Sequence, residues 1–513
     1  MMESRRAFIG SLAAAGTFGV CRAFAAPVGF CASRKPNLVF GALSDIHIST
    51  VGTGGDISGW KDNLTFRHAL EWFREQGVDA VVVAGDLTNK GSVEELAAVA
   101  EAWNRVFPND RTPEGRPVSR IFVTGNHDFH GYLYGKWGEK VYPDPAERAR
   151  HLLRADFGKH WQAVFHEPYE RSFHKRIKGY DFFGRQWDDG SAWDCGSDKS
   201  DEAYGIGLDE CLAAAKIGTN PRRPFFYVQH AHPKDTCFGS WAWGHDSGRV
   251  TATLARYPNA IALSGHSHYS LTDERALWQG EFTSFGCGSL RYSEPPYDSV
   301  LPVGYENSVS GDHRWAHVHD ALKAMPVYAS DRSRQGSLWR VYDDCIIVSR
   351  RDFLSDSPLG DDWVIPLPSP GARPFNFACR AKAASAPQFA KGASLEVAMT
   401  RAVTRETKRH SAEEKDAVEI RIPPALAVSG ARPLAFLATV SGAGGKTAEF
   451  RVLAEGYDLP LANLRARQTT KLVLTVDRFP SGAKTLAVTP VDCWDKCGRQ
   501  LTADIRHLTE GRH

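Results

Sequence analysis

After its N-terminal stretch the sequence holds no run of about 18 apolar residues, the length a membrane-crossing helix needs. A charge excess is also missing. Lys plus Arg number 62 and Asp plus Glu 60, for a formal net charge of +2. That is too near neutral to argue for binding a nucleic-acid polymer or an anionic membrane surface. Nor is there a phosphate-binding loop. In "SGAGGKT" (Ser441 to Thr447), Val440 stands where G-x-x-x-x-G-K-T needs its first glycine. Strand patterns flank that stretch on both sides, so it reads as a hairpin turn. What is present, 42% hydrophobic and 24% charged residues over 513 positions, fits a soluble globular chain of two or three domains.

The N-terminus "MMESRRAFIGSLAAAGTFGVCRAFAAP" has a charged start, an Ala- and Gly-rich apolar stretch, and Ala23-Phe24-Ala25 as an A-x-A cleavage site. The paired arginines in "SRRAFIG" (Ser4 to Gly10) resemble a twin-arginine export signal. The expectation is a signal peptide over residues 1–25 and a soluble periplasmic or secreted protein. Ten cysteines suit an oxidising compartment. Cys21 leaves with the signal, so an odd number remains and at least one is unpaired. Cys493 and Cys497, in "CWDKC", are the best local candidates for a disulfide.

From Asn37 onward, short apolar runs alternate with amphipathic helical patterns. "NLVFGALS", "DAVVVAG" and "SRIFVTG" read as buried strands. Between them, Leu64, Phe66, Ala69, Leu70 and Phe73 fall at helical spacing, and Ser92 with Glu95 opens a second helix as a capping box. This is the pattern of a βαβ sheet covered on both faces. "PFFYVQ", "AIALSG" and "EFTSFGCGS" continue the strands, the last read as antiparallel. The long aromatic and polar segment from Asp128 to Pro224 reads partly as core and partly as a lid. Along the chain, Trp187, Trp193, Trp241, Trp243, Tyr204 and Tyr292 are lid candidates, although aromatics more often belong to the core. A hairpin-like "SLWRVYDDCIIVSRRDF" closes this domain, expected over residues 35–365. Residues 366–394, rich in Pro, Ala, Gly and Ser, read as a linker. Short strand patterns such as "AVEIRI", "PLAFLATVS" and "KLVLTV" then predict a small all-β sandwich over 395–513.

Chemistry-bearing residues gather at the ends of the first-domain strands. "SDIH" gives Asp45 and His47, "GDLTN" gives Asp86, and "GNHD" gives Asn126, His127 and Asp128. "YVQHAHP" adds His230 and His232, and "SGHSH" adds His266 and His268. Histidines one residue apart on extended backbone point the same way, and imidazoles that share a direction commonly share a metal site. In an open α/β sheet, ligands bind outside the carboxyl ends of the strands. His230 directly follows its strand and is the favoured ligand there; His232 stands open as the alternative or as a substrate contact. Arg291 is a candidate phosphate clamp. His130, His313, His317 and His319 read as surface or core residues.

The five blocks D-x-H, G-D, G-N-H-D, a lone His and G-H-x-H, in that order, resemble the calcineurin-like metallophosphoesterase superfamily over roughly Asn37 to Phe353. Asp45, Asp86 and Asn126 follow one another at intervals of about 40 positions, as βαβ units give. The resemblance implies a four-layer αββα sandwich and two divalent or trivalent metal ions (Mn, Fe or Zn). It implies Asp45, His47 and His268 on one ion, Asn126, His230 and His266 on the other, and Asp86 shared. It also implies His127 as a non-ligand catalytic histidine oriented by Asp128. The activity implied is hydrolysis of a small organic phosphomonoester or phosphodiester by a metal-bridging hydroxide. The purple acid phosphatase type is disfavoured, since Asn89 stands where its extra tyrosine would follow G-D. The alternative is an envelope or glycan-binding protein with a vestigial phosphoesterase domain, motivated by the C-terminal sandwich.

Overall fold

The computed structural model describes residues 34–49, 58–130, 136–187, 204–240, 242–296, 305–307, 332–368, 373–406, 411–427, 432–460 and 469–509. The expected signal peptide, Trp193, Trp241, His313, His317 and His319 lie outside the described residues. Among the described residues, no helix is long and apolar enough to cross a membrane.

Strands β1 (Leu38–Leu43), β2 (Ala80–Ala84) and β3 (Ser119–Val123) pair in parallel. Each is apolar throughout most of its length because both of its faces are covered. On one face, Val39, Val81 and Val83 meet Phe66, Ala69, Leu70 and Phe73 of α1 (Ser58–Glu75) and Leu96 and Val99 of α2 (Val93–Val106). Leu64, placed on that apolar stripe by its spacing, is exposed instead. The capping box of α2 forms as its sequence predicts: Ser92 Oγ accepts from Glu95 N–H, and the Glu95 carboxyl accepts from Ser92 N–H.

On the opposite face, Leu38, Phe40, Ala42, Ala80 and Val82 meet a second sheet. It is ordered β4 (Ser172–Ile177), β5 (Tyr180–Arg185), β6 (Phe225–Val228), β7 (Ala260–Ser264), β9 (Thr283–Gly286), β8 (Leu277–Gln279). Phe40 lies against Phe182, Phe226 and Trp339, with ring centroids 4.8–5.5 Å apart. The outer face of this sheet, through Tyr227 and Ala262, joins Leu208, Leu212, Val250 and Leu254 of two short helices in the first cluster. Four layers result, helix–sheet–sheet–helix. β9 runs parallel to β7, not antiparallel as expected, because the connection between them detours through β8, which is the antiparallel partner. The hairpin β10 (Gln335–Val341) and β11 (Cys345–Asp352) extends the first sheet antiparallel to β1.

The described residues of the stretch expected as a linker include regular structure. The strand Trp363–Pro366 ends at its first position, and a helix runs over Phe377–Ala383, capped by the Asn376 side chain. Phe375 exchanges hydrogen bonds with Gln279, and the Arg380 guanidinium lies over the Phe375 and Trp363 rings. Its small and proline residues conceal this because the anchoring side chains are so few. Beyond it, antiparallel sheets of three strands (Glu396–Glu406, Ser411–Ile422, Thr470–Thr475) and four strands (Thr447–Leu453, Pro433–Ser441, Thr485–Asp492, Leu501–Asp504) share one apolar cluster. "SGAGGKT" forms the turn of a hairpin between two of them. Cys493 and Cys497 are free thiols, one buried beside Leu434 and Tyr457 and the other exposed, so the expected disulfide is absent.

Candidate metal centre

Each strand that was read as delivering a polar residue does so just past its last hydrogen-bonded position. Asp45 and His47 follow β1, Asp86 follows β2, and His266 and His268 follow β7. All five have left-handed backbone, with φ of 51°, 42°, 52°, 73° and 56°. Non-glycine residues enter that region at a cost and cluster at functional sites when they do. His266 and His268 therefore share a direction for a different reason from the one the spacing suggested. They lie on a tight turn beyond the strand, not on extended backbone.

Two of the motif glycines are explained by crowding. A Cβ on Gly125 would come within 2.2 Å of Asp86 Oδ1, and one on Gly265 within 2.5 Å of Asp45 Oδ2. The glycine before each of Asn126 and His266 is what lets neighbouring loops close on the carboxylates.

The side chains converge into two overlapping groups of potential donors. Asp45, His47, Asp86 and His268 form one, Asp86, His230 and His266 the other, with the atoms of each group within 4.8 Å of one another. Asp86 is common to both. His268 Nε2 lies 3.0 Å from Asp45 Oδ1, and His230 Nε2 lies 3.2 Å from Asp86 Oδ2 and 3.1 Å from Asn126 Oδ1. The opposite ring nitrogens are anchored on carbonyls: His230 Nδ1 donates to Ala84 O at 2.8 Å and His268 Nδ1 to Tyr292 O at 3.2 Å. A carbonyl only accepts, so both rings carry hydrogen on Nδ1 and aim Nε2 inward.

The donor set fits cations. Asp45 and Asp86 are buried, and among the described residues their ion-pair partners are histidines, with no Lys or Arg. Asp45 Oδ1 is buried without a properly directed hydrogen bond, an arrangement that is costly unless a positive charge sits beside it. Protons and cations compete for these atoms. Burial works against a charge on His230, yet Asp86 beside it holds its pKa up at about 9. Burial likewise opposes the charge on His268, and Asp45 raises it. His47 and His266, burdened by burial and by neighbouring imidazoles, are held well below the usual histidine range.

Residues 38–270 match the family model of the calcineurin-like phosphoesterases. The chain carries a calcineurin-like phosphoesterase domain. It is a metal-dependent phosphoester hydrolase. No curated protein matches the chain. Among solved structures it is similar to a dimetal phosphatase from Danio rerio (12% identity, 65% of this chain and 100% of that chain, TM-score 0.34). It is also similar to a purple acid phosphatase from yellow lupin seeds (12%, 64% and 55%, TM-score 0.37) and to an archaeal phosphodiesterase (11%, 64% and 100%, TM-score 0.22).

Within the phosphoesterase domain, two expectations need correction. Asp128 does not orient His127. Its Oδ1 accepts from Thr88 N–H and Oγ–H, both at 2.8 Å, and its Oδ2 accepts from Gly125 N–H at 2.8 Å and Leu87 N–H at 3.2 Å. His127 Nδ1 instead donates to Asn89 O at 2.9 Å. His232 faces neither donor group nor solvent: it is 1% exposed, with both nitrogens engaged by Ser264 and Ser267 hydroxyls. That leaves His230 alone of the pair among the converging donors. Arg291 stands beside the centre, with Nη1 donating to His47 O at 2.8 Å, so that atom braces a loop.

Three lid candidates border the histidines directly. The Trp243 ring is 4.4 Å from His266, Tyr292 is 4.1 Å from His268, and buried Trp187 is 5.6 Å from His266. The features missed by sequence reasoning are the backbone carbonyls of Ala84, Asn89 and Tyr292, which accept from the imidazoles and so orient them. No residue-type signal could reveal them, because every residue owns a carbonyl.

Proposed function

We propose that this protein is an exported di-metal phosphoester hydrolase acting on a small organic phosphomonoester or phosphodiester. The observation that carries the reading is the membership of buried Asp86 in both donor groups, the arrangement expected of a carboxylate that holds two cations at a fixed separation. Asp45, His47 and His268 would hold one ion; Asn126, His230 and His266 would hold the other. Bound there, Mn, Fe or Zn ions supply phosphoryl charge neutralisation and activation of the attacking water.

The remaining work falls to the chain itself. Neutral Asn126 limits the negative charge that faces an anionic substrate. Asn89 O fixes hydrogen on His127 Nδ1, so Nε2 is the atom that, in the imidazolium form, would hand a proton to the leaving oxygen and be left bare. Half-exposed Trp243 and Tyr292 flank the ligand rings and give the substrate's organic part an apolar wall. Export is proposed from the twin-arginine pattern at Ser4 to Gly10. Residues 35–365 are proposed as the catalytic domain and 395–513 as its buttress, a view supported by the hydrogen bonds of Thr272 Oγ1 to Tyr457 O at 2.6 Å and Tyr457 Oη to Asp273 Oδ2 at 3.1 Å.

The test is turnover of p-nitrophenyl phosphate against bis-p-nitrophenyl phosphate by Mn-reconstituted protein, with Asp86→Ala as control. Turnover of either that is lost in the control supports the reading, and the preferred ester names the subclass. A protein that binds no metal overturns it.

A further inference from the structure

We propose that His232 is a positioning residue that locks the turn bearing His266 and His268 into its ligand-presenting shape. The inference rests on the two-cation reading above and extends it to a residue outside both donor groups.

The His232 ring bridges two hydroxyls three positions apart. Nδ1 lies 2.8 Å from Ser264 Oγ and Nε2 lies 2.7 Å from Ser267 Oγ. Ser264 is the last residue of β7, and Ser267 stands between the two histidines. The neighbouring bonds fix the proton order. Ser264 Oγ–H is directed to Phe285 O at 3.4 Å, so its oxygen accepts from His232 Nδ1–H, and Ser267 Oγ–H then donates to bare Nε2. Every hydrogen-bonding position of the ring is thus used in one tautomer.

The turn it spans needs holding. His266 and His268 are both left-handed, at φ 73° and 56°, a conformation that persists only where the surroundings enforce it. A rigid ring that fixes Ser264 relative to Ser267 enforces it without entering either donor group. The ring is itself fixed: His232 N–H donates to Gly244 O at 2.8 Å, and His232 O accepts from Asp246 N–H at 2.8 Å. Its flanks touch Phe238 and His245, with ring centroids 5.5 and 5.7 Å away. The two H-x-H motifs therefore interlock. In "HAH" the first histidine reaches the centre, and the second clamps the turn that carries the other pair.

The experiment compares the parent with Ser267→Ala, His232→Gln and His232→Asn, each titrated with Mn2+ against a competing chelator and followed by the EPR signal of the bound ions. A glutamine amide reaches the Nε2 position and keeps a partner for Ser267; an asparagine amide reaches only the Nδ1 position. The expected result is a loss of about 10- to 100-fold in Mn2+ affinity for Ser267→Ala and His232→Asn, with most of the affinity restored in His232→Gln. Ser267→Ala deletes a single oxygen and leaves the ring in place, so it decides the question even where a ring substitution fails to fold. Unchanged Mn2+ affinity in Ser267→Ala, or equal losses in the Gln and Asn variants, overturns the inference. A parent that takes up no Mn2+ overturns the two-cation reading and this inference with it.

Discussion

His47 Nε2 and His268 Nε2 face each other at 3.1 Å across the gap between the two sheets of the sandwich. His47 follows β1 of one sheet and His268 follows β7 of the other. Two imidazole nitrogens at that distance share at most one proton, and Asp45 Oδ1 is within 3.0 Å of the second. The site thus closes the seam between the sheets with groups that attract a cation more readily than they attract one another.

Metal loading is therefore expected to stabilise the whole catalytic fold. At a free Mn2+ concentration about a hundredfold above Kd, each site adds about 2.7 kcal/mol. Calorimetry with and without a chelator measures this as a rise of several degrees in Tm. A Tm indifferent to chelation contradicts the cation reading.

His127→Ala is expected to lower kcat by about 10²- to 10⁴-fold while both Mn2+ ions remain bound. The loss should be smaller for p-nitrophenyl esters than for alkyl esters, because p-nitrophenolate leaves without a proton. Equal losses on both esters would instead assign His127 to binding the phosphoryl group.

Asp128→Asn separates orientation from architecture. The Asp128 carboxylate accepts four hydrogen bonds from the β2 and β3 loops, and an amide nitrogen turned toward any of these donors leaves it unsatisfied. The expected cost is on the order of 1–3 kcal/mol in urea unfolding. The kcat of the folded variant should change little, since Asn89 O holds the His127 ring. A kcat loss as large as that of His127→Ala would restore Asp128 as the orienting group.

Glu95 gives stability a pH slope. Burial drives its pKa up from 4.5 to about 7, against the backbone N–H groups of Lys90 and Ser92 that favour its charge. Below pH 4.5 the folded and unfolded chains both hold the proton. Between 4.5 and 7 only the folded chain holds it, so stability falls as pH rises through that window. The fall amounts to about 3 kcal/mol at most. Glu95→Gln should remove it, which urea unfolding at pH 5 and pH 8 reads directly. An unchanged slope in the variant would place the titrating group elsewhere.

The sandwich was legible wherever burial on both faces made a strand continuously apolar, as in β1, β2, β6 and β7. It was less legible where a pattern needed distant partners. The direction of β9 depends on a detour through β8, and Leu64 fits a helical stripe that its neighbours leave uncovered. The converging donors were readable because carboxylate and imidazole are residue types. The tautomer of His127 and the inward aim of His268 were not, since they are set by the carbonyls of Asn89 and Tyr292. His232 illustrates the same limit. Its spacing from His230 suggested a second ligand, and only the positions of Ser264 and Ser267 show what it holds.

The five left-handed positions at the centre carry a historical consequence. Asp and His, with Asn, are among the side chains that enter that backbone region most readily, and they are also the residue types that bind hard or borderline cations. Replacing one of these residues by Asn leaves the turn comfortable and removes a charge or a strong donor. Replacing it by Val or Ile strains the turn itself. A descendant of this domain could lose the proposed cation site by single, structurally quiet steps and keep its sandwich intact, so the architecture is able to outlast the chemistry proposed for it.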